Sequence, residues 1–392
     1  MEEGQQVKVS NEIRGVLLMN ASSNIIFNFI GIFVNLYIWE QGRSIFDVTW
    51  FNLILFGTWG VSFAIGAKLL TRYSTKLLIR IIAICGAFTF LLLTFLHLDN
   101  RLLWITIIAI PVGVMWGIYA IAQNISLSYL GKGEDFDFYF SWASLIGQAV
   151  SIVNPIFFAL VIRFIGYSGS FLLMFLFVAL LLIVSFYLPH ITISDEKERL
   201  FTNFRMRQVF NYSSLRWIVP SCLAAGVFLQ FQGLFALLFT FSVSEDKLII
   251  ALLNVGYACA TIGAMVIRRK LVASEGKVLI YGMIFISLGF LITLYPLAPI
   301  LVLSNLLTTI GMFYFGTIWN TRQFSLIVKH TKIEQVRILI WREWFLIIAR
   351  IITLLLILTV KDFHGIEFIV LMVFALGSAL IIPYFSNRSE AQ

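Results

Sequence analysis

Phe29-Ile30-Gly31-Ile32-Phe33 returns 202 positions later as Phe231-Gln232-Gly233-Leu234-Phe235. In that register Arg14 falls on Arg216, Asn28 on Gln230, Asn52 on Asn254 and Lys68 on Lys270. Further along, at an offset of 199, Ser126-Leu127 falls on Ser325-Leu326 and Trp142 on Trp341. One such match means nothing. A nearly constant offset kept across five hydrophobic segments describes a chain made of two similar halves. In a membrane, a duplicated chain usually places its binding site where the halves meet.

Composition supplies the membrane. The 392 residues are 60% hydrophobic and 12% charged, where a soluble chain carries about 25% charged residues. Mean hydropathy is +0.94. Apolar runs longer than the ~18 residues that mark a membrane span recur along the chain. The period-two alternation of an outer-membrane barrel is missing, so the fold class is all-α and polytopic. A net charge of +8 raises nucleic acid as a partner. Its charges sit in short loops between apolar runs, however, which reads as topology. Cys85, Cys222 and Cys259 lie inside apolar runs without metal-ligand spacing and read as small core residues. No phosphate-cradling loop, zinc spacing or nucleophile–base pair stands out, so neither an enzyme nor a cofactor is expected. Met1 to Glu12 is polar and does not read as a cleavable signal peptide.

Hydropathy predicts twelve spans, at 14–39, 47–68, 77–97, 102–126, 139–164, 167–189, 215–242, 247–268, 277–295, 298–325, 337–360 and 364–385. They divide into two pseudo-symmetric six-helix bundles, 14–189 and 215–385. A tail at 1–13, a linker at 190–214 and a tail at 386–392 complete the chain. The linker is polar, contains Asp195-Glu196-Lys197-Glu198-Arg199 and Arg205-Met206-Arg207, and reads as a solvated strap with an amphipathic helix on the membrane surface. Of the 28 Lys and Arg residues, Arg43, Arg101, Arg163, Lys247 and Lys361 fall on one side and Arg350 in mid-span; all others fall on the side of the chain ends. The positive-inside rule therefore makes both termini cytoplasmic, in a bacterial-type inner (plasma) membrane.

The span count, the six-plus-six repeat and the central loop resemble the major facilitator superfamily. That family's loop between spans 2 and 3 reads Gly-x-Leu-Ala-Asp-Arg-x-Gly-Arg-Lys. Here the stretch is Ala67-Lys68-Leu69-Leu70-Thr71-Arg72-Tyr73-Ser74-Thr75-Lys76. Leu69, Arg72 and Lys76 fit, Ala67 and Ser74 are small replacements for glycine, and Thr71 stands where the acidic residue belongs. Arg268-Arg269-Lys270 occupies the equivalent loop of the second half. The resemblance implies a monomeric secondary transporter working by alternating access. Its partners would be the lipid bilayer, a small-molecule substrate, and protons or another coupling ion. Spans 1, 4, 7 and 10 would line a central cavity.

Those spans carry polar stripes. Asn20, Asn24 and Asn28 share one face of span 1, with Asn35 a heptad beyond Asn28. An amide in hydrocarbon must find a partner, so the stripe faces protein or water. It is either helix–helix glue or a cavity wall. Span 4 carries Trp116, Tyr119 and Gln123, span 7 Gln230 and Gln232, and span 10 Asn305, Thr309, Trp319, Asn320, Arg322 and Gln323. The expected substrate-binding set is Asn20, Asn24, Asn28, Trp116, Tyr119, Gln123, Gln230, Trp319 and Arg350.

Span 11 carries charge into the bilayer: Trp341-Arg342-Glu343-Trp344, then Arg350 near mid-membrane. A charge there costs about 2.5–3.5 kcal/mol on insertion scales unless paired or hydrated. Arginine cannot escape by losing its proton. Two readings stand for Arg350: a handle for an anionic substrate, or a structural group tied to carbonyls, Gln148 or Ser151. Glu343, expected to meet Arg322, is the candidate for proton coupling or gating. In the family's exporters span 5 carries a Gly-Pro-rich antiporter motif; here Asn154-Pro155-Ile156-Phe157-Phe158-Ala159 keeps the proline and loses the glycines. The reading is therefore proton-coupled export of small amphipathic or anionic organic compounds. The alternatives are uptake of a polar solute such as a sugar, and a lipid-moving or sensing protein on a transporter fold.

Overall fold

The computed structural model describes residues 11–388 except His97, 131–133, 194–199, Asn203 and 271–272. The acidic part of the linker and both extreme tails lie outside the described residues. Every regular element among those described is helical.

Span 1 starts as Asn11–Phe29, passes through a π turn at Ile30–Val34 and resumes as Asn35–Gly42. Arg43, in the left-handed region at φ 48°, ends it. Span 2 is Ile45–Leu70, opened by the Ser44 hydroxyl accepting from Asp47 N. Span 3 is Thr75–Phe95 and span 4 is Arg101–Leu130. Spans 5 and 6 form one helical run, Glu134–Tyr187, broken at Gly166, whose φ of 72° suits a residue without Cβ. Spans 7, 8 and 9 are Ile218–Val243, Lys247–Lys270 and Glu275–Ile292. Span 10 is Ala298–Ile327, with Pro299 in its first turn, where a missing N–H costs nothing. Span 11, Lys332–Ile357, opens on a Thr331/Glu334 capping box. Span 12 is Ile366–Arg388.

Among the described residues, ten helical stretches are long and apolar enough to cross a membrane. One of them, Trp142–Tyr187, holds two spans, and the charged span 11 lies outside that group; together they make twelve. This is a multi-pass membrane protein. The even count brings residues 11 and 388 to one side, here the terminal face.

The duplicated pentapeptide sits at the heart of each bundle. Phe29 packs against Phe33, Phe90, Phe158 and Phe171, with centroids 4.6 Å from Phe158 and 5.8 Å from Phe90. Phe231 packs against Phe235, Phe290 and Phe368, with centroids 4.8 Å from Phe290 and 5.9 Å from Phe368. Phe29 and Phe33 thus correspond to Phe231 and Phe235 at the 202 offset, and Phe90 to Phe290 at an offset of 200. All six rings are buried. Fully burying each is worth about 1.5–3 kcal/mol where water is the alternative; in lipid the gain is shape and contact. The copies are not identical. Span 1 takes an extra backbone residue at Ile30–Val34, while span 7 stays α-helical there. Asn35 Nδ2 donates to the carbonyls of Ile30 (3.4 Å) and Gly31 (3.0 Å), so the π turn has a local cap.

Within the first half, span 2 packs on span 4, span 3 on spans 4 and 6, and span 1 on span 5. Within the second, span 9 packs on spans 10 and 12, and span 7 on spans 10, 11 and 12. At Gly282 and Gly311 the span 9 and span 10 backbones approach so closely that a Cβ on Gly311 would lie 2.6 Å from Gly282 O. The halves meet along two seams, span 2 against span 11 and span 5 against span 8.

Candidate functional site

A cavity of about 300 Å³ lies between the halves. Asn28 and Ile32 of span 1 and Gln148 and Ser151 of span 5 form one wall. Gln232, Gly233 and Thr240 of span 7, Asn254, Tyr257 and Thr261 of span 8, and Asn305 and Thr309 of span 10 form the other. Among the described residues the lining contains amides, hydroxyls and apolar groups, and no charged side chain.

Local chemistry fixes the wall. Asn154 Nδ2 donates to Asn28 Oδ1 (3.0 Å) and to Ile25 O (3.0 Å), so span 5 holds the span 1 stripe in place. The residue after it is Pro155, which lacks the N–H that would bond Ser151 O one turn back. Ser151 is in the lining, and its carbonyl is released there. On the other wall, Asn305 Nδ2 donates to Ala236 O (2.9 Å), Thr240 Oγ1 (3.1 Å) and Tyr257 OH (3.2 Å). Spans 7, 8 and 10 are thereby tied at one amide. Asn254 Nδ2 spends one N–H on Ile250 O (2.9 Å).

Toward the terminal face the amide stripe continues inside the first half. Asn24 Nδ2 donates to Asn20 Oδ1 (2.9 Å), Asn20 Nδ2 to Tyr119 OH (3.2 Å), and Gln123 Nε2 to Tyr139 OH (3.3 Å). Trp116 stacks on Phe27 (4.0 Å) and on Trp59 (5.3 Å), and Trp59 stacks on Phe56 (5.3 Å). Arg350 lies over this ladder, its guanidinium carbon 4.7 Å from the Phe56 centroid and 5.9 Å from that of Trp59. Its Nε is buried without a hydrogen-bond partner.

Arg342 is the fully employed charge. It donates through Nε to Gln323 Oε1 and through Nη2 to Asn320 Oδ1 (2.8 Å), and its Nη1 lies 3.8 Å from Glu343 Oε2. Its guanidinium also covers Trp319, 5.1 Å from the ring centroid. Glu343, buried, lies within the field of both Arg342 and Arg350. The expected Glu343–Arg322 contact is therefore corrected. Arg322 sits closer to the terminal face and pairs with Glu275 of span 9 at 3.3 Å, while Glu343 stays with its neighbour in sequence.

Ion pairs join the halves on the face opposite the chain ends. Arg43 meets Glu245 at 2.6 Å and Glu40 meets Lys247 at 3.0 Å. Toward the terminal face, Trp344 Nε1 donates to Gly60 O (3.0 Å), and Lys332 Nζ lies 4.6 Å from the Tyr129 centroid.

No protein-family model matches this chain. The uncharacterized protein YqgE of Bacillus subtilis is 22% identical over 375 residues, 91% of this chain and 84% of that protein. Among solved structures, the POT family transporter PepTSo aligns with TM-score 0.72 at 10% identity, over 98% of this chain and 99% of its own. A bacterial homologue of the iron transporter ferroportin, outward-facing, gives 0.69 at 16% identity, over 97% and 99%. The nucleoside transporter NupG gives 0.61 at 13%, over 96% and 99%. The chain has the major facilitator fold.

On that fold the sequence-named residues separate into groups. Asn28 lines the cavity. Asn20, Asn24, Tyr119 and Gln123 form the hydrogen-bonded network behind it, and Trp116 belongs to the aromatic ladder. Gln230 is buried two residues before the lining, which takes Gln232 and Gly233 instead. Trp319 is buried, and its Nε1 donates to Ser221 Oγ at 2.6 Å. Arg350 is at the span 2–span 11 seam rather than on the cavity wall. Span 4, expected to line the cavity, contributes nothing to this lining, and span 8 contributes Asn254, Tyr257 and Thr261. That stripe was legible at i, i+3, i+7. The major facilitator resemblance directed attention to spans 1, 4, 7 and 10 instead.

The loop motif acts through the backbone. Thr75 N donates to Ile191 O (3.1 Å), Ile193 N to Leu70 O (2.8 Å) and Lys76 Nζ to Phe186 O (3.3 Å). Leu69 O accepts from Tyr73 N (2.8 Å), closing the turn, and Arg72 is exposed. With Thr71 in the acidic position, the loop is clasped to the chain leaving span 6 by amides instead of by a carboxylate.

Proposed function

We propose that this protein is a secondary transporter that moves a small, neutral, hydrogen-bonding solute across the plasma membrane by alternating access, with both termini cytoplasmic. The observation that carries the reading is the charge-free lining of the central cavity. Amides and hydroxyls from spans 1, 5, 7, 8 and 10 can each donate and accept, which suits a solute whose polarity is spread over hydroxyls or amides. A fixed anion would find no countercharge there. This favours the polar-solute alternative over an anionic substrate. Pro155 supports the cavity by releasing a carbonyl and so carries no information on direction. Glu343, the carboxylate buried at membrane depth in span 11, is the group assigned to proton coupling. It lies on the seam that must shift when the halves rock.

A thermal-shift panel tests the reading. Hexoses, nucleosides, dipeptides and aromatic carboxylic acids are titrated against wild type, Gln232→Leu and Arg350→Gln. Neutral hits lost in Gln232→Leu and kept in Arg350→Gln are expected, since bound ligand raises apparent stability with occupancy. Carboxylic acids alone as hits, lost in Arg350→Gln, would return the site to Arg350 and the substrate to an anion.

Alternating access also requires the Glu40–Lys247 contact to part. In a background without the native cysteines, Glu40→Cys/Lys247→Cys joined by a short thiol-cleavable cross-linker should stop transport, and reductant should restore it. Undiminished uptake by fully cross-linked protein in liposomes would refute the rocking motion.

A further inference from the structure

The linker that joins the bundles borders a second recess, of about 510 Å³, where it enters span 7. Arg207 and Arg216 stand on it, and Met206, Phe210, Val219 and Pro220 give it an apolar wall. Both arginines are exposed. Among the described residues no carboxylate lies within ion-pair distance of either. Arg216 Nη2 makes a long contact, 3.4 Å, with Asn211 O. We propose that this recess holds the phosphate of an anionic phospholipid from the adjoining leaflet.

Three features favour a lipid over a free phosphate. The recess offers two guanidiniums, each able to give phosphate oxygens a pair of parallel N–H donors. The apolar wall gives a glycerol backbone and the first methylenes a surface that an inorganic ion would not use. The place is right as well. Span 7 begins at Ile218 and gives the recess Val219 and Pro220 from its first turn, so the arginines just before it lie at headgroup level. The flanking linker keeps Phe201, Met206 and Tyr212 at 43%, 40% and 49% exposure, as interfacial anchors do.

The lipid would also be wired to the transporter's moving part. Arg337 Nε of span 11 donates to Leu200 O (2.8 Å), and Trp341 Nε1 donates to Phe204 O (2.8 Å). Phe210, on the recess itself, lies 5.8 Å from Phe345. The linker is thus bound along the start of span 11, the helix that forms the seam with span 2 and carries Glu343. A headgroup that orders the linker would bias that seam.

The test needs no solute, so its failure stays separate from failure of the transport reading. The purified full chain is reconstituted in nanodiscs of phosphatidylcholine with increasing phosphatidylglycerol, and retained lipid is counted by native mass spectrometry. Wild type should retain one phosphatidylglycerol in preference to phosphatidylcholine. Near an anionic leaflet each arginine contributes about a fivefold affinity gain. Arg207→Gln/Arg216→Gln should therefore lose about 30-fold. Arg268→Gln/Arg269→Gln, with the same charge change on the same face, should retain the lipid. Equal retention of both lipids, or equal loss in the two double variants, would overturn the site. Displacement of the lipid by millimolar inorganic phosphate would overturn the assignment to a lipid.

Discussion

Asn305→Leu is expected to weaken neutral-solute binding at the central cavity by about tenfold, the worth of one lost solute hydrogen bond at about 1–1.5 kcal/mol, because Asn305 is a lining amide that also ties spans 7, 8 and 10. The side chain is nearly isosteric, so what changes is polarity. Asn305 holds Ala236 O, Thr240 Oγ1 and Tyr257 OH at once, and the Thr240 and Tyr257 side chains are themselves cavity wall. Thr240 Oγ1 still donates to Ala236 O at 2.8 Å, so span 7 keeps its helix and the protein should still fold. Tyr257 OH loses the Asn305 donor at 3.2 Å and keeps only the longer contact with Thr240 Oγ1 at 3.4 Å, so the wall is held less firmly. The measurement is the midpoint of a thermal-shift titration with whichever hexose, nucleoside or dipeptide stabilises the wild type. An unchanged midpoint in Asn305→Leu would move the binding site away from spans 7, 8 and 10. Thr308→Val is the matched control. Thr308 Oγ1 donates back to Ser304 O within span 10, and Thr308 is absent from the lining.

Asn305 also shows why the sequence yielded the fold more readily than the site. The fold is written in long-range regularities. A 202-residue repeat brought Phe29 and Phe231 to the centres of matching bundles, and segment length alone fixed most spans. Span 11 is the instructive span. Its charges keep it outside a purely compositional criterion, yet the repeat register of Trp142 and Trp341 marks it. The site depends on which face of a helix turns inward, and polarity alone is ambiguous there. Asn20, Asn24 and Asn28 share a face, but the first two are consumed by Tyr119 and by each other, leaving Asn28 in the cavity. Asn154 precedes Pro155 in span 5 and carries no signal of its own in the sequence. It turned out to hold Asn28, and nothing in residue spacing links positions on spans 1 and 5. The Glu343–Arg322 expectation failed for a related reason. Span boundaries put Arg322 and Glu343 at similar depth, but Arg322 has a carboxylate, Glu275, at the loop it faces.

Arg342→Leu should destabilise the protein by about 3–5 kcal/mol, the cost of breaking a buried charged cluster from one side. The cluster holds Arg342, Glu343 and Arg350, a formal excess of one positive charge, on a helix that a composition rule would not choose for a membrane. Arg342 balances Glu343 and satisfies Gln323 and Asn320, so its removal leaves three polar groups short of a partner at once. Arg350 is the remaining cation, and it would have to leave the faces of Phe56 and Trp59 to reach Glu343. The double variant Arg342→Leu/Glu343→Leu should recover much of the loss, because replacing a buried pair with apolar residues of similar volume is often neutral or better. Melting temperatures in detergent would show this as a double variant more stable than Arg342→Leu. A double variant no better than the single would mean that Glu343 is compensated independently of Arg342. Stability and coupling should then separate at Glu343. Glu343→Gln keeps the volume and an acceptor for the seam but cannot exchange a proton. It should retain solute exchange in liposomes and lose accumulation driven by a pH gradient. If Glu343→Gln accumulates solute under that gradient as wild type does, the carboxylate is a structural counterion for its two arginines and coupling lies elsewhere.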